Sequence, residues 1–197
     1  NPETLSVGLN NRDVSDVNVE WYKSSASDGN INSQYRLALL YHHGDGVPKN
    51  DVVALDWLVK AAKKRHEDAQ HELGKFYEEG IGVPRSYTRA LHWYQSSANQ
   101  LNGTGQWRMG SMYQLGKGVE IDYVEAAKWY KKAIKNENLN ALHALGHMHE
   151  IGLGVTQSYI AASKYYRKAA KKNHPDAMIK LGLLLEQGRG MRKDPKT

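Results

Sequence analysis

Apolar residues recur along this chain at the spacing of an α-helix, in short segments separated by polar and glycine-rich stretches. One segment carries its apolar face at Ala69, Leu73, Gly74, Phe76 and Tyr77, and an earlier one at Ala54, Trp57, Leu58, Ala61 and Ala62. Because positions three and four residues apart share one face of a helix, each segment is predicted to be an amphipathic helix. No apolar run approaches the length of a membrane span, so none is predicted in this sequence.

A glycine-rich turn follows the first helix of each predicted pair. In Gly80-Ile81-Gly82-Val83-Pro84, glycine suits the left-handed end of a helix and proline prevents its continuation. The two turn glycines recur every 36 residues. They are Gly44, Gly80, Gly116, Gly152 and Gly188, and then Gly46, Gly82, Gly118, Gly154 and Gly190. The same period places good N-cap residues before the second helix, at Asn50, Ser86, Asp122, Ser158 and Asp194.

This period predicts the fold. A single helix pair cannot bury both apolar faces, whereas stacked pairs can, so we expect an all-α fold: an α-solenoid (right-handed superhelix) of helix–turn–helix repeats. It should form one solenoid over residues 1–197, with full repeats at 34–68, 69–104, 105–140 and 141–176 and partial repeats at 14–33 and 177–197. Neither end carries a polar cap. We therefore expect a piece of a longer array, or exposed ends that self-associate or are covered by a partner.

Two consecutive units carry a specific motif. The first reads Leu73-Gly74-x-x-Tyr77-x-x-Gly80-x-Gly82-Val83 and continues as Ala90-Leu91-x-Trp93-Tyr94-x-x-x-Ala98. The next unit repeats it at Met109-Gly110, Tyr113, Gly116, Gly118-Val119, Ala126, Trp129-Tyr130 and Ala133. This pattern resembles the Sel1-like repeat (SLR), a branch of the tetratricopeptide superfamily with a longer, glycine-rich turn. The resemblance extends from about Val14 to Gly190.

The resemblance implies a non-enzymatic scaffold that assembles protein complexes and binds a peptide or a partner helix in a concave groove. Similar proteins include adaptors for degradation at the endoplasmic reticulum, regulators of chitin synthase and bacterial host-interaction factors. A shared fold does not determine the partner, however. The resemblance therefore predicts the kind of partner, protein or peptide, and leaves its identity open.

Helical geometry separates the groove side of each first helix from its core side. At about 100° per residue, His71, Lys75 and Glu78 fall opposite the core residue Leu73, on the side that resembles the concave groove of this superfamily. Carrying these positions through the repeats gives the candidate partner-binding residues Tyr35, His42, His71, Lys75, Glu78, Trp107, Gln114, His143, His147 and Glu150. Exposed aromatic side chains are common anchors for a partner. Trp107 stands out, because the predicted core does not require it.

Charge adds an alternative to this hypothesis. The 197 residues include 27 Lys+Arg and 21 Asp+Glu, a formal net charge of +6. Lysines cluster on the predicted outer face of the second helices, at Lys60, Lys63, Lys64, Lys128, Lys131, Lys132, Lys135, Lys168, Lys171 and Lys172. Their simplest interpretation is a solvated face with cations near helix C-termini; the alternative is a strip that binds RNA or another polyanion. Three acids on the groove side, Glu78, Glu150 and Glu186, argue against nucleic acid there.

No cofactor, metal site or catalytic site is predicted. The chain has no Cys, which excludes a thiol nucleophile and Cys-ligated zinc. His143 and His147 share a helix face, but a zinc site needs three or four converging ligands, and Ala144 stands where a zincin carries Glu. The Gly-x-Gly elements follow helices rather than strands, which is not the context of a phosphate-binding loop. A hydrolase on a helical scaffold is a third hypothesis, without a recognisable catalytic constellation.

Overall fold

The structure, a computed structural model, describes residues 11–190, with side chains from residue 19 onward. Over that range it consists of ten α-helices and contains no β-strand, which confirms the predicted all-α repeat architecture. The helices are α1 (Asn11–Ser27), α2 (Ile31–His43), α3 (Asp51–Lys63), α4 (Glu67–Glu79), α5 (Tyr87–Ala98), α6 (Gly103–Leu115), α7 (Tyr123–Lys135), α8 (Leu139–Ile151), α9 (Tyr159–Ala170) and α10 (Pro175–Glu186). The cap expected at Asp194 and the end of the last partial repeat lie outside the described residues.

The helices divide between two compact units. Unit 1 ends at Ser86 and contains α1 to α4, and unit 2 begins at Tyr87 and contains α5 to α10. Even-numbered helices are the first helix of a repeat and odd-numbered helices the second. In unit 1, α2 packs against α3; in unit 2, α6 packs against α7 and α8 against α9. These three helix–turn–helix pairs are therefore packing units as well as sequence repeats.

Side-chain caps fix the starts of the helices. The predicted caps of the second helices are confirmed at Asn50, Asp122 and Ser158, whose side-chain oxygens accept backbone N–H groups of the first turn. The first helices also have caps at a constant position in each repeat, which the sequence analysis missed. They are Asn30, His66, Asn102, Asn138 and His174.

Two of these caps are imidazole rings. Nδ1 of His66 accepts the N–H of Ala69 at 3.2 Å, and Nδ1 of His174 accepts the N–H of Ala177 at 3.3 Å. A ring nitrogen that accepts carries no proton, so the tautomer that caps each helix has its proton on Nε2. In this tautomer, Nε2 of His174 donates to Oδ1 of Asn140 at 3.0 Å.

The two glycines of each turn have different neighbours. Gly80 has φ +77°, and its N–H donates to the carbonyl of Phe76 at 2.9 Å, which closes the end of α4. Gly82 has φ +64° and lies against the start of α3, where an added Cβ would meet the carbonyl oxygen of Asp51 at 2.6 Å. Gly118, Gly154 and Gly190 make the corresponding approach to Tyr87, Tyr123 and Tyr159. The second glycine therefore joins each turn to the second helix of the preceding repeat.

The core is built from alanines around large rings. The tyrosines Tyr94, Tyr130 and Tyr166 are fully buried at the position that follows the recurring tryptophan. The tryptophan itself varies in burial: Trp129 is 8% exposed, whereas Trp21 is 53% exposed. Tyrosine is the residue that fills this space in unit 2.

Glycines inside the first helices make room for these rings. An added Cβ at Gly110 would lie 2.5 Å from Cε1 of Tyr130, and at Gly146 it would lie 2.8 Å from Cε1 of Tyr166. Gly182 occupies the same position in α10, but a Cβ there would meet nothing within 4 Å among the described residues. The first two glycines therefore allow a ring to pack directly on a helix backbone.

Candidate functional site

The first helices of unit 2 enclose a polar cavity of about 310 Å³. Its walls come from α6, α8 and the start of α10, with Tyr130 of α7 contributing to the lining. The lining residues are Trp107, Ser111, Gln114, Leu115, Tyr130, Asn140, His143, Ala144, His174 and Asp176. We call this cavity the unit 2 groove. It brings together three of the predicted residues: Trp107, Gln114 and His143.

Trp107 lies between the core and the groove. It is partly buried and packs against the hydrophobic cluster that contains Ala126, Tyr130 and Leu145. The guanidinium of Arg108 lies 4.6 Å from the centre of its ring. The expectation that the core does not use Trp107 was thus wrong in part, because one side of the indole supports the core while the side chain still lines the groove.

His143 is a neutral ring with an unused polar atom. It stacks on His174 with 5.3 Å between ring centres and an angle of 14° between ring planes, and the ring of Tyr166 lies 5.6 Å away. Its Nε2 is buried and has no hydrogen-bond partner among the residues that the structure describes. Burial lowers the pKa of His143, and the neighbouring His174 acts in the same direction, so the neutral form is favoured.

Hydrogen bonds from two buried tyrosines hold the side chains of Gln114 and Glu150. The hydroxyl of Tyr130 donates to Oε1 of Gln114 at 2.7 Å, and the hydroxyl of Tyr166 donates to Oε2 of Glu150 at 2.6 Å. Burial raises the pKa of both tyrosines, so both hydroxyls keep their protons. Glu150 also lies 3.6 Å from Nζ of Lys180. These two side chains position the buried tyrosines as well as facing outward.

His147 lies near His143 on the same helix, but outside the lining of the groove. Its side chain is partly buried, and its charge acts to lower the pKa of His143. The predicted pair therefore faces one side of α8, as helical spacing requires. Only His143 reaches the groove.

In unit 1, Tyr35 belongs to a cavity of about 480 Å³ beside the start of α2. Its ring lies 4.6 Å from that of His66, and burial raises the pKa of Tyr35 to about 12, with smaller contributions from Glu72 and Asp68. The lining residues are Trp21, Tyr22, Asn30, Asn32, Ser33, Tyr35, Arg36, His66 and Asp68. Aromatic rings and a cation thus surround the predicted anchor.

The other predicted residues of unit 1 lie around Glu72. Nδ1 of His71 is 3.3 Å from a carboxylate oxygen of Glu72, and Nδ1 of His42 is 2.6 Å from Oδ1 of Asp51. Burial acts to raise the pKa of Glu72, but His71, Lys75 and His42 together outweigh it and hold the pKa below its ordinary value. Glu78, the remaining candidate, is partly buried near the end of α4.

The polar residues at these sites that sequence reasoning missed include Glu72, Asn140, His174 and Asp176. A signal for Glu72 was present, since charged residues recur at its position in four repeats. They are Arg36, Glu72, Arg108 and Lys180. His174 stands at the recurring cap position of the first helices, but its contact with Asn140 gave no signal, because the two residues meet across a repeat boundary.

Two further features concern the described part of the chain. Its His, Asp and Glu side chains do not form a group of three or more that could hold a metal ion. Its helices are all too short or too polar to cross a membrane.

Acid is expected to lower the stability of unit 2, and His143 is the residue responsible. Burial lowers the pKa of His143 in the folded chain, whereas the unfolded chain has the ordinary value of about 6.5. Between these values the unfolded chain binds the proton first, so the free energy of unfolding falls as the pH falls below about 6.5. Urea unfolding at about pH 8 and about pH 5 measures this loss.

The variant His143→Gln should lose less stability between those two pH values than the wild type does. Besides His143, the groups that face this ring are His174, Asp176, His147 and Lys180, and they are unchanged in the variant. An equal loss in both proteins would show that His143 does not carry the acid sensitivity.

Helix–turn–helix pairs at a constant period, with buried rings packed on glycines and shared cap positions, define the class of α-solenoid repeat proteins. The sequence model of the Sel1 repeat matches residues 19–30, 31–66, 67–100, 104–138, 139–174 and 175–197. The chain belongs to the Sel1 repeat family. Proteins of this family are generally protein–protein interaction scaffolds and are generally non-enzymatic.

Solved structures give the same result. The chain is similar to a protective antigen of uropathogenic Escherichia coli with an SLR fold, with 35% identity and a TM-score of 0.84 over 89% of this chain; it spans 38% of that antigen. It is also similar to a Sel1 repeat protein from Oxalobacter formigenes, with 30% identity and a TM-score of 0.86 over 92% of this chain and 74% of that one. An immunity protein of Pseudomonas aeruginosa shares the fold at 20% identity and a TM-score of 0.59, over 87% of this chain and 62% of that one. No curated protein sequence gives a significant match.

Proposed function

We propose that this chain is a scaffold whose unit 2 groove binds an extended peptide or a helix of a protein partner. The observation that carries the proposal is that Trp107 and His143 line one cavity, and that the buried Nε2 of His143 has no partner among the described residues. An apolar side chain of the partner packs against the indole, and a polar group beside it bonds to the imidazole. A small number of such anchors supplies most of the affinity in typical protein interfaces.

The buried Nε2 supports this proposal energetically. A buried polar atom without a partner costs about 1–3 kcal/mol, and a bound peptide recovers that cost when the imidazole turns to present Nε2 to it. Asn140 and Asp176 lie exposed at the same cavity and can orient the peptide through further hydrogen bonds. The groove thus offers apolar contact together with directional polar contacts, which is the usual composition of a binding site.

The remaining candidates are proposed as further contact residues within each unit. In unit 1, Tyr35 with Trp21 and His66 forms a second aromatic cavity. His42, His71, Lys75 and Glu78 supply mixed charge, and in unit 2 His147 and Glu150 continue the groove side of α8. A surface with charges of both signs is more complementary to a protein ligand than to a uniformly anionic ligand.

The test is Trp107→Ala in the full chain, with a partner that has been captured by affinity and identified by mass spectrometry. We expect affinity for the purified partner to fall by tenfold or more, about 1.4 kcal/mol, as for a typical anchor residue. His143→Phe, which keeps a ring but removes Nε2, should also weaken binding.

The matched control is Trp93→Ala, which removes the same side chain from α5 of the same unit, outside the groove lining. It should leave affinity unchanged within about twofold. Circular dichroism checks that each variant keeps its helices. Unchanged affinity in Trp107→Ala with intact helicity would exclude the groove as the binding site.

A further inference from the structure

The outer face of unit 2 carries two stripes of positive charge. The α7 stripe is Lys128, Lys131, Lys132 and Lys135, and the α9 stripe is Lys164, Arg167, Lys168 and Lys171. All eight side chains are exposed. Within each stripe the residues follow the spacing that places them on one side of a helix. Each residue of the α9 stripe is one repeat period after its counterpart in the α7 stripe.

Most of these charges have no internal partner. Lys128 pairs with Glu125 at 2.9 Å, and Nζ of Lys132 lies 3.8 Å from the ring centre of Trp129. Within the part of the chain that the structure describes, the other six cations form no ion pair: Lys131, Lys135, Lys164, Arg167, Lys168 and Lys171. Like charges at this spacing on one helix repel each other, so the stripes cost stability in the absence of an anion.

The two stripes lie side by side. Tyr165 of α9 packs against the hydrophobic cluster that contains Ala126 and Tyr130 of α7, and Nζ of Lys172 lies 3.8 Å from a carboxylate oxygen of Glu137 at the far end of the same helices. Both α7 and α9 pack against the same helix, α8. The cations therefore form a two-row patch rather than separate charges.

An apolar residue precedes each stripe. Val124 is 55% exposed and Ile160 is 52% exposed, and each lies one helical turn before the first cation of its stripe. On α9, Ile160 and the four cations border a surface hollow of about 520 Å³ together with Ser163 and Gly190. The patch therefore combines apolar contact at one end with positive charge along the rest.

The stripes are not a requirement of the repeat. The corresponding positions of α5 hold Thr88, His92, Gln95, Ser96 and Asn99, none of which is a lysine or an arginine. The same fold therefore forms with a second helix that lacks these charges, and the stripes need a different explanation.

We propose that the α7 and α9 stripes form a second interaction surface, which binds an acidic segment of a protein partner with an apolar residue at one end. Carboxylates of the segment meet the two rows of cations, and its apolar residue meets Ile160 or Val124. This surface is additional to the proposed groove. Charge complementarity of this kind steers association and sets the orientation of the partner.

An acidic protein segment fits better than nucleic acid. Proteins that bind single strands stack bases on exposed aromatic rings. On α7 and α9 every aromatic side chain that the structure describes is buried or partly buried. The exposed apolar residue at the start of each stripe matches a peptide side chain and has no counterpart in a sugar–phosphate backbone.

The experiment uses the full chain and a fluorescently labelled synthetic peptide in which glutamates follow one leucine at helical spacing. Lys131→Glu combined with Lys168→Glu should weaken binding by about tenfold or more at low salt, because both reversals turn attraction into repulsion. The matched control, Lys63→Glu with Arg65→Glu, makes the same change in net charge at exposed positions of unit 1. It should weaken binding by less than about twofold. An equal loss in both double variants would overturn the assignment to the stripes.

Three further arms complete the test. Ile160→Ser should weaken the leucine peptide but not a peptide with serine in its place, and an equal effect on both would overturn the apolar contact. An oligonucleotide or an anionic vesicle that binds more tightly than the peptide, and loses binding on the same double reversal, would overturn the acidic-segment assignment. Circular dichroism confirms folding, and Lys131→Gln with Lys168→Gln replaces the reversal if helicity is lost.

Discussion

Gly110→Ala is expected to lower the free energy of unfolding by about 2–3 kcal/mol, because a well-packed core does not accept an added methyl group. The new Cβ would lie 2.5 Å from Cε1 and 2.6 Å from Cδ1 of Tyr130. That ring cannot move aside easily: it is buried, and its hydroxyl donates to Gln114 at 2.7 Å. The substitution must displace either the ring or helix α6, and urea unfolding followed by circular dichroism measures the cost.

Gly182→Ala is the matched control. It makes the same change at the equivalent position of α10, where the added Cβ meets nothing within 4 Å among the described residues. Alanine favours a helix over glycine, so we expect this variant to gain about 0.5–1 kcal/mol. Opposite signs for the two substitutions would identify ring packing as the reason for glycine at this position. A loss in both would contradict that account.

Gly82→Ala is expected to cost about 3 kcal/mol, several times more than Gly80→Ala in the same turn. Both glycines have positive φ, +77° at Gly80 and +64° at Gly82, so both substitutions incur a backbone cost of about 1 kcal/mol. At Gly80 the nearest atom to an added Cβ is 3.4 Å away, which is ordinary contact. At Gly82 the Cβ would lie 2.6 Å from the carbonyl oxygen of Asp51, a backbone atom at the start of α3.

The comparison separates two reasons for glycine in one turn. Equilibrium unfolding of both variants in urea gives the two costs directly. If both lose about 1 kcal/mol, the close approach to Asp51 is unimportant and backbone conformation alone selects glycine. If Gly82→Ala loses much more, the second glycine is selected by contact between repeats.

Local features of the fold could be predicted because they depend on a few neighbouring residues. The turn from Gly80 to Pro84 and the cap at Asn50 act within one turn of helix, so sequence spacing is enough to find them. The burial of Tyr94 in place of the preceding tryptophan could not be predicted in the same way. It depends on how the ring meets another helix, which a single helical pattern does not contain.

The candidate site likewise contains residues that helical spacing could predict and residues that it could not. The positions of Trp107, Gln114 and His143 on one side of their helices followed from 100° per residue, and the unit 2 groove brings them together. The participation of His174 did not follow, because it caps α10 and reaches the groove from the next repeat. The hydrogen bond between Tyr166 and Glu150 was also missed, because it joins two different helices and the pattern of a single helix does not contain it.

The histidine caps of α4 and α10 give the chain two internal spectroscopic reporters. Asparagine caps the other three first helices, so His66 in unit 1 and His174 in unit 2 are distinct from them in an NMR spectrum. Because each ring accepts through Nδ1, the nitrogen resonances of the imidazole differ between a closed and an opened helix start. Following the two rings during gentle denaturation would show which repeat frays first, without an added label or a mutation.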